Sequence, residues 1–380
     1  MFGRDKHTAE QDDTHRDDTT RDTTGHDDAN REEPATVVKG DPIAKPDVPP
    51  WERQGEQLLE VRDLFVEFHT SEGLAKAING VNLTLAEGET LAILGESGSG
   101  KSVTAQAVMG ILDMPPAKIP SGEIFYRGKD LLTMPEDERR KLRGPEISMV
   151  FQDALSSLNP VFPVGWQIAE MFRKHRDMNR SDSYDQAIRL MERVNIPGAK
   201  ERVKAYPHQF SGGMRQRIMI AMAIALDPKV LIADEPTTAL DVTVQAQIMA
   251  LLKELQEEHD MGLILITHDL GVVADVADRI SVMYAGRIVE RAYVDDIYAA
   301  PAHPYTKGLL ESIPRLDQKG QDLSAIGGLP PSLTRIPPGC AFNPRCVMAQ
   351  DVCREESPPL RDIRPRRQSA CHFAEELLDD

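Results

Sequence analysis

TLAILGESGSGKSVTAQAVMGIL, residues 90–112, passes from a continuous apolar run, through a glycine-rich octet, into a helical pattern. The octet GESGSGKS, Gly95 to Ser102, fits the phosphate-loop spacing G-x-x-x-x-G-K-[ST] and lies where that spacing has meaning, between a buried strand and a helix. Gly95, Gly98 and Gly100 let the backbone wrap phosphates with N–H groups, and the helix N-terminus adds a positive dipole end. Ser97 and Ser99 belong to the same nucleotide-binding loop. Lys101 is expected to reach the β and γ phosphates, and the Ser102 hydroxyl to bind Mg²⁺.

Upstream of the octet, LLEVRDLFVEF alternates as a strand, and INGVNLTLAEGETLAILG reads as two strands around the turn AEGE. Downstream, from about Asp153 to Gln209, helix-like segments such as SDSYDQAIRLMERV are broken by prolines. VLIAD and LILIT are then short apolar runs separated by the helical VTVQAQIMALLKELQEEHD, and SVMYAGRIVERA reads as a hairpin turning at Ala285 and Gly286. Apolar strands alternating with helices predict an α/β protein with a largely parallel sheet covered on both faces.

In such a sheet, ligands sit at the C-terminal ends of the strands. KVLIADEP places Asp234 at such an end, as a candidate Mg²⁺ carboxylate, and Glu235 beside it as a candidate general base for an attacking water. A strand ending in Asp-Glu is a weak signal alone and a strong one downstream of a phosphate loop. SGGMRQR, Ser211 to Arg217, precedes a long helical run and offers a second anion site. Two phosphate sites in one chain are reconciled if two chains face each other and sandwich each ATP.

The balance of 44 basic against 61 acidic residues gives a formal charge of -17, which disfavours nucleic acid as a partner. The charged start MFGRDKHTAEQDDTHRDDTT has no signal-peptide core, and no run of about 18 apolar residues appears. The expectation is a soluble, cytoplasmic chain. Residues 1–55, rich in Asp, Thr and Arg, are read as a disordered acidic tail.

With GESGSGKS, SGGMRQR and LIADEPTTALD in this order, the chain resembles the ATPase subunit of an ATP-binding cassette transporter. MVFQDALSSLNPV, YPHQFSGGMRQRIMIAMAIA, ITHDLGVVADVADRISVMYAGRIVE and HPYTKGLL narrow the likeness to the oligopeptide, dipeptide and nickel importer subgroup, D-type or F-type ATPase. The resemblance implies a phosphate-loop nucleotide-binding domain over 56–304, with a RecA-like core sheet and a helical subdomain at about 153–210, followed by a C-terminal extension over 305–380. It implies that Gln152 senses the γ-phosphate and Mg²⁺, and that Ser211, Gly212 and Gly213 contact ATP on the opposite chain. It also implies that Asp241 lies in the loop linking the two sites, His268 binds the γ-phosphate and Phe68 stacks on adenine. Phe210 and Ala154 depart from the subgroup pattern without touching a group that does chemistry.

The implied activity is ATP hydrolysis at the cytoplasmic face of the membrane, driving peptide import through two transmembrane permease subunits. A second ATPase subunit, identical or related, and an extracytoplasmic substrate-binding protein complete the set. Import of nickel or another small solute, an exporter, and a soluble ATPase of translation or DNA repair stand as alternatives.

All four cysteines fall in the last forty or so residues, at Cys340, Cys346, Cys353 and Cys371. GCAFNPRC matches a pattern common in the C-terminal extension of this subgroup, in which some relatives are thought to carry a [4Fe–4S] cluster. The spacing C-x5-C-x6-C-x17-C does not choose between such a cluster, a zinc site and four free thiols. The cluster is the expectation carried forward, with His372 outside the ligand set.

Overall fold

A computed structural model describes residues 57–238, 240–312 and 326–379, so the expected acidic tail over 1–55 lies outside the described residues. In chain order the strands are β1 (Gln57–Thr70), β2 (Gly73–Ala86), β3 (Thr90–Leu94), β4 (Ala117–Tyr126), β5 (Lys129–Asp130) and β6 (Ile147–Val150). They continue as β7 (Val230–Asp234), β8 (Gly262–Thr267), β9 (Arg279–Tyr284), β10 (Arg287–Tyr293), β11 (Arg361–Arg364) and β12 (Arg367–Ser369). One antiparallel sheet has the order β2-β1-β4-β5; the other runs β11-β12-β10-β9-β3-β8-β7-β6.

In the second sheet β9, β3, β8, β7 and β6 are parallel, and β10, β12 and β11 are added antiparallel. Every residue of β3, β6, β7, β8 and β9 is buried, which is why these segments are mostly apolar, with Ser148, Asp234, Arg279 and Ser281 among the buried polar exceptions. Side chains alternate between the two faces. Leu91, Ile93, Val230, Ile232 and Ile264 pack in one core with the first sheet and the helix Lys101–Met109. Their neighbours Ala92, Leu94, Leu231, Ala233 and Leu265 pack in the other core, with Ile168, Phe172, Met191 and Val203 of the helical middle region. That second core also holds residues of the helices Gly212–Ile224 and Val242–His259.

The expected hairpin is present between β9 and β10, with Ala285 at φ 46° and Gly286 at φ 79°. Two consecutive left-handed residues match the right-handed strand twist. A Cβ on Gly286 would stand 2.8 Å from Ala77 O, so glycine is required there by space as well as by conformation. The Gly286 N–H donates to Ser99 O at 2.9 Å, which fastens this turn to the phosphate loop.

The C-terminal region joins the main sheet. β12 pairs with β10 through Glu290↔Ser369 and Arg291↔Gln368, and β11 pairs with β12. Beneath this pairing Glu290, fully buried, accepts from Arg367 Nη2 at 3.0 Å and from the Ala302 N–H at 2.7 Å. Among the described residues no helix is long and apolar enough to cross a membrane.

Candidate functional site

Strand register builds the site. Leu94 at the end of β3 pairs with Thr267 at the end of β8, Asp234 at the end of β7 pairs with Ile266, and Val150 at the end of β6 pairs with Ala233. The residues just beyond these ends are Gly95, His268, Glu235 and Gln152, so four adjacent parallel strands deliver the predicted residues to one edge of the sheet.

The phosphate loop is held in a shape that only glycine permits at two points. Gly95 has φ 151°, and a Cβ there would meet Met283 O at 2.3 Å; Gly100 has φ 108°, and a Cβ there would meet Ala77 O at 2.6 Å. Ser97 and Gly98 are exposed at the loop tip, whereas Ser99 is buried and its Oγ has no hydrogen-bond partner among the described residues. An unpartnered buried hydroxyl inside a glycine cradle at a helix N-terminus fits a phosphate chain. Lys101 is only 5% exposed, and its Nζ donates to Gly95 O at 2.7 Å and to Glu96 O at 3.0 Å. Burial pulls its ammonium pKa down, a cost to the charged form that an anion bound beside it would offset.

Ser102 Oγ donates to Asp234 Oδ1 at 3.0 Å. Asp234 is 4% exposed, and burial raises its pKa against the opposing bond from Ser102. A buried carboxylate beside a hydroxyl is a donor set suited to Mg²⁺, which takes few protein ligands alongside substrate phosphates.

Glu235 sits at φ 45°, a left-handed conformation unusual for its type. Its Oε2 accepts from Gln152 Nε2 at 2.9 Å and from Thr238 Oγ1 at 2.9 Å, and lies 3.5 Å from His268 Nδ1. The structure thus gathers Gln152, Glu235 and His268 around one carboxylate oxygen. Thr238 was not singled out in the sequence; its signal was available in TTALD, three residues beyond the proposed base.

The second anion site is separate. Ser211 caps the helix Gly212–Ile224, its side chain accepting from the Met214 N–H at 3.4 Å, and a Cβ on Gly213 would meet Val244 Cγ1 at 2.6 Å. Ser211 and Gly213 line a cleft of about 550 Å³ with Asn195, Arg217, Val244 and Gln247, and no residue of the phosphate loop lines it. A Cβ on Gly212 would stand 3.5 Å from Leu240 Cδ2, an ordinary contact. Asp241 is exposed and caps the helix Val242–His259 through the Val244 N–H at 3.0 Å. Phe68, on β1 opposite Ala75 and Ala117, is half-buried against the core.

The expectation of a [4Fe–4S] cluster finds no support among the described residues. Cys340, Cys346, Cys353 and Cys371 do line one cavity, and the Cys340 N–H donates to Cys353 O at 2.8 Å. The free space they share is small, about 20 Å³. Among the described residues no three His, Cys, Asp or Glu side chains form a group that could hold a metal ion, which applies equally to zinc. Burial pushes the Cys340 and Cys346 thiols up, and that of Cys371 up to about 12. His372, half-buried at the same cavity, places Nε2 3.1 Å from Glu356 O.

Comparison with known proteins gives the family. Residues 78–238 match the family described as ABC transporter, and residues 289–353 match the family described as oligopeptide/dipeptide transporter, C-terminal region. The chain is 50% identical to the oligopeptide transport ATP-binding protein OppD of Escherichia coli (strain K12) over 332 residues, 87% of this chain and 98% of that protein. It is 54% identical to the OppD of Bacillus subtilis (strain 168), over 80% of this chain and 85% of that one. Identity to the dipeptide transport ATP-binding protein DppD of the same organism is 52%, over 78% and 89% of the two chains. Among solved structures, the dimeric post-hydrolysis state of the ATP-binding cassette MJ0796 bound to ADP and Pi superposes with a TM-score of 0.57 at 27% identity, covering 62% of this chain and 99% of that one.

Proposed function

The chain belongs to the ATP-binding cassette transporter family, and from that premise we propose that it is the ATP-hydrolysing subunit that powers import of oligopeptides or dipeptides through separate membrane subunits. The observation that carries the hydrolytic reading is the convergence of Gln152, Thr238 and His268 on Glu235, one residue after the buried Asp234. The peptide substrate rests on the relatives, whose own names specify oligopeptide or dipeptide transport.

ATP supplies a phosphoanhydride whose cleavage is energetically downhill. Around it, the loop Gly95–Gly100 offers N–H groups and the Ser99 hydroxyl to the phosphates, and Lys101 exchanges its two carbonyl partners for phosphate oxygens. Ser102 and Asp234 would hold Mg²⁺, whose charge would compensate the buried carboxylate. Glu235 takes the proton of the attacking water. Gln152 and Thr238 each donate to its Oε2, which fixes the carboxylate and leaves its other oxygen for the water. His268, with its ring largely exposed, is assigned to the γ-phosphate.

Ser211, Gly212 and Gly213 are assigned to the ATP of a facing subunit, with Asp241 near that junction and Phe68 at the base. The helical middle region over about 153–210 and the segment over 305–380 are taken as a subdomain and an extension of the nucleotide-binding domain. The placement that follows is peripheral, at the cytoplasmic face of a membrane beside two permease subunits and indirectly served by an extracytoplasmic binding protein. No step of this function is routed through the four cysteines.

The test is Glu235→Gln. The amide keeps the shape of the side chain and loses the base, so turnover should fall by roughly 100-fold or more while ATP affinity is retained. Steady-state phosphate release and equilibrium ATP binding measure the two quantities. Undiminished turnover would falsify the assigned base.

A further inference from the structure

Glu96, the second residue of the phosphate loop, is held by two groups from the C-terminal region. Its carboxylate accepts two parallel bonds from Arg345, Nη1 to Oε2 at 2.6 Å and Nη2 to Oε1 at 2.9 Å. Its N–H donates to the Tyr305 hydroxyl at 2.8 Å, and its carbonyl accepts from Lys101 Nζ at 3.0 Å. The side chain of Arg345 is 5% exposed, and its Nε donates to Gly327 O at 2.9 Å. Its guanidinium lies 5.9 Å from the ring centroids of both Tyr284 and Phe342. Phe342 in turn packs against Tyr284 and Tyr305 at 5.2 and 5.4 Å, and lines the thiol cavity with Cys340 and Cys346.

We propose that Arg345 is a positioning residue for the ATP site: its fork on Glu96 sets the phosphate loop and couples the cysteine-bearing segment 340–346 to nucleotide binding. The physical case starts from the loop itself, whose glycines leave its backbone free to take many shapes. A bidentate Arg–carboxylate pair has both direction and strength, and a nearly buried guanidinium tolerates little displacement of its only carboxylate partner among the described residues. With side chain, N–H and carbonyl all engaged, Glu96 has one orientation, so the loop is presented ready-shaped to the phosphates. Loss of Arg345 frees that orientation and leaves a bare carboxylate beside the site of an anionic ligand. The coupling runs both ways, because whatever shifts Phe342 or Arg345 shifts the loop, and ATP on the loop stabilises this seating of the segment.

The inference rests on the reading of Gly95–Ser102 as the ATP site. Its test is a double-mutant cycle on the full chain in the Glu235→Gln background, reading the Kd for Mg-ATP by calorimetry and the thermal midpoint of each variant. Arg345→Met should weaken ATP by roughly 5-fold or more, and the loss should largely disappear when Glu96→Gln is already present. Arg345→Lys, which keeps the charge without the fork, should fall between, and it carries the same cycle if Arg345→Met does not fold. Unchanged affinity in the Arg345 variants overturns the proposal. So does an equal loss with and without Glu96→Gln, since Arg345 would then act by holding the extension rather than through Glu96. A parent protein that binds no ATP removes the functional reading as well, whereas tight parental binding with unresponsive variants removes only the coupling.

Discussion

Asp234 is a carboxylate kept almost out of water, with a single hydroxyl from Ser102 bonded to it in place of a solvation shell. Its folded pKa lies above that of an unfolded aspartate because burial outweighs that bond. Between the two pKa values the folded chain binds the proton more readily than the unfolded chain, so this group's contribution to stability falls as pH rises through that window. At neutral pH the contribution is at its least favourable. Asp234→Asn should therefore raise the thermal midpoint of the nucleotide-free protein at pH 7, on the order of 2 °C, with the gain shrinking as pH drops below the ordinary carboxylate range. Calorimetry at pH 7 and at low pH checks this. A lower midpoint at pH 7 would mean that the Ser102 bond dominates over burial. The same substitution should abolish Mg²⁺-dependent turnover, which separates what the residue does for function from what it does for folding.

Among the elements, the antiparallel addition of β12 to β10 makes the C-terminal segment part of the main sheet. The buried pair of Glu290 and Arg367 lies under that junction. Removing one member leaves the other charged and unsolvated, so Arg367→Met should destabilise the fold by about 3–5 kcal/mol, read from the denaturant midpoint. Adding Glu290→Gln should recover much of the loss, because the uncompensated charge is gone. Two independent losses that simply add would show that the pair is not the connection between the elements. The element scale also explains the site: the parallel register of β3, β8, β7 and β6 brings Gly95, His268, Glu235 and Gln152 to one edge, while each strand by itself is only an apolar run.

For the molecule as a whole, no residue of the phosphate loop lines the cleft of Ser211 and Gly213, the separation that the proposed two-chain site requires. A solved cassette with a similar fold is described as dimeric with ADP and Pi bound. The full chain carrying Glu235→Gln should accordingly associate into a dimer on adding Mg-ATP, and Ser211→Arg should abolish that association while leaving the monomer folded. Light scattering with and without ATP measures both. A chain that binds ATP and stays monomeric would point to a related but different ATPase subunit as the partner. A sequence charge of -17 opposes self-association at low salt, so the measurement belongs at moderate ionic strength.

The sequence by itself determined the phosphate loop, the buried strands, the hairpin at Ala285–Gly286 and the pairing of Asp234 with Glu235 in the chain. These are local features, set by where glycine is sterically required and by how apolar residues repeat between neighbours. Tertiary structure alone decided that Thr238 joins Gln152 on Glu235, that β11 and β12 extend the main sheet, and that Arg345 reaches Glu96 across 249 positions. On the metal expectation it added no support: spacing left Cys340, Cys346, Cys353 and Cys371 open to a cluster, and among the described residues they form no group that could hold a metal ion. Such outcomes depend on the summed packing of distant segments, which no local period or spacing records.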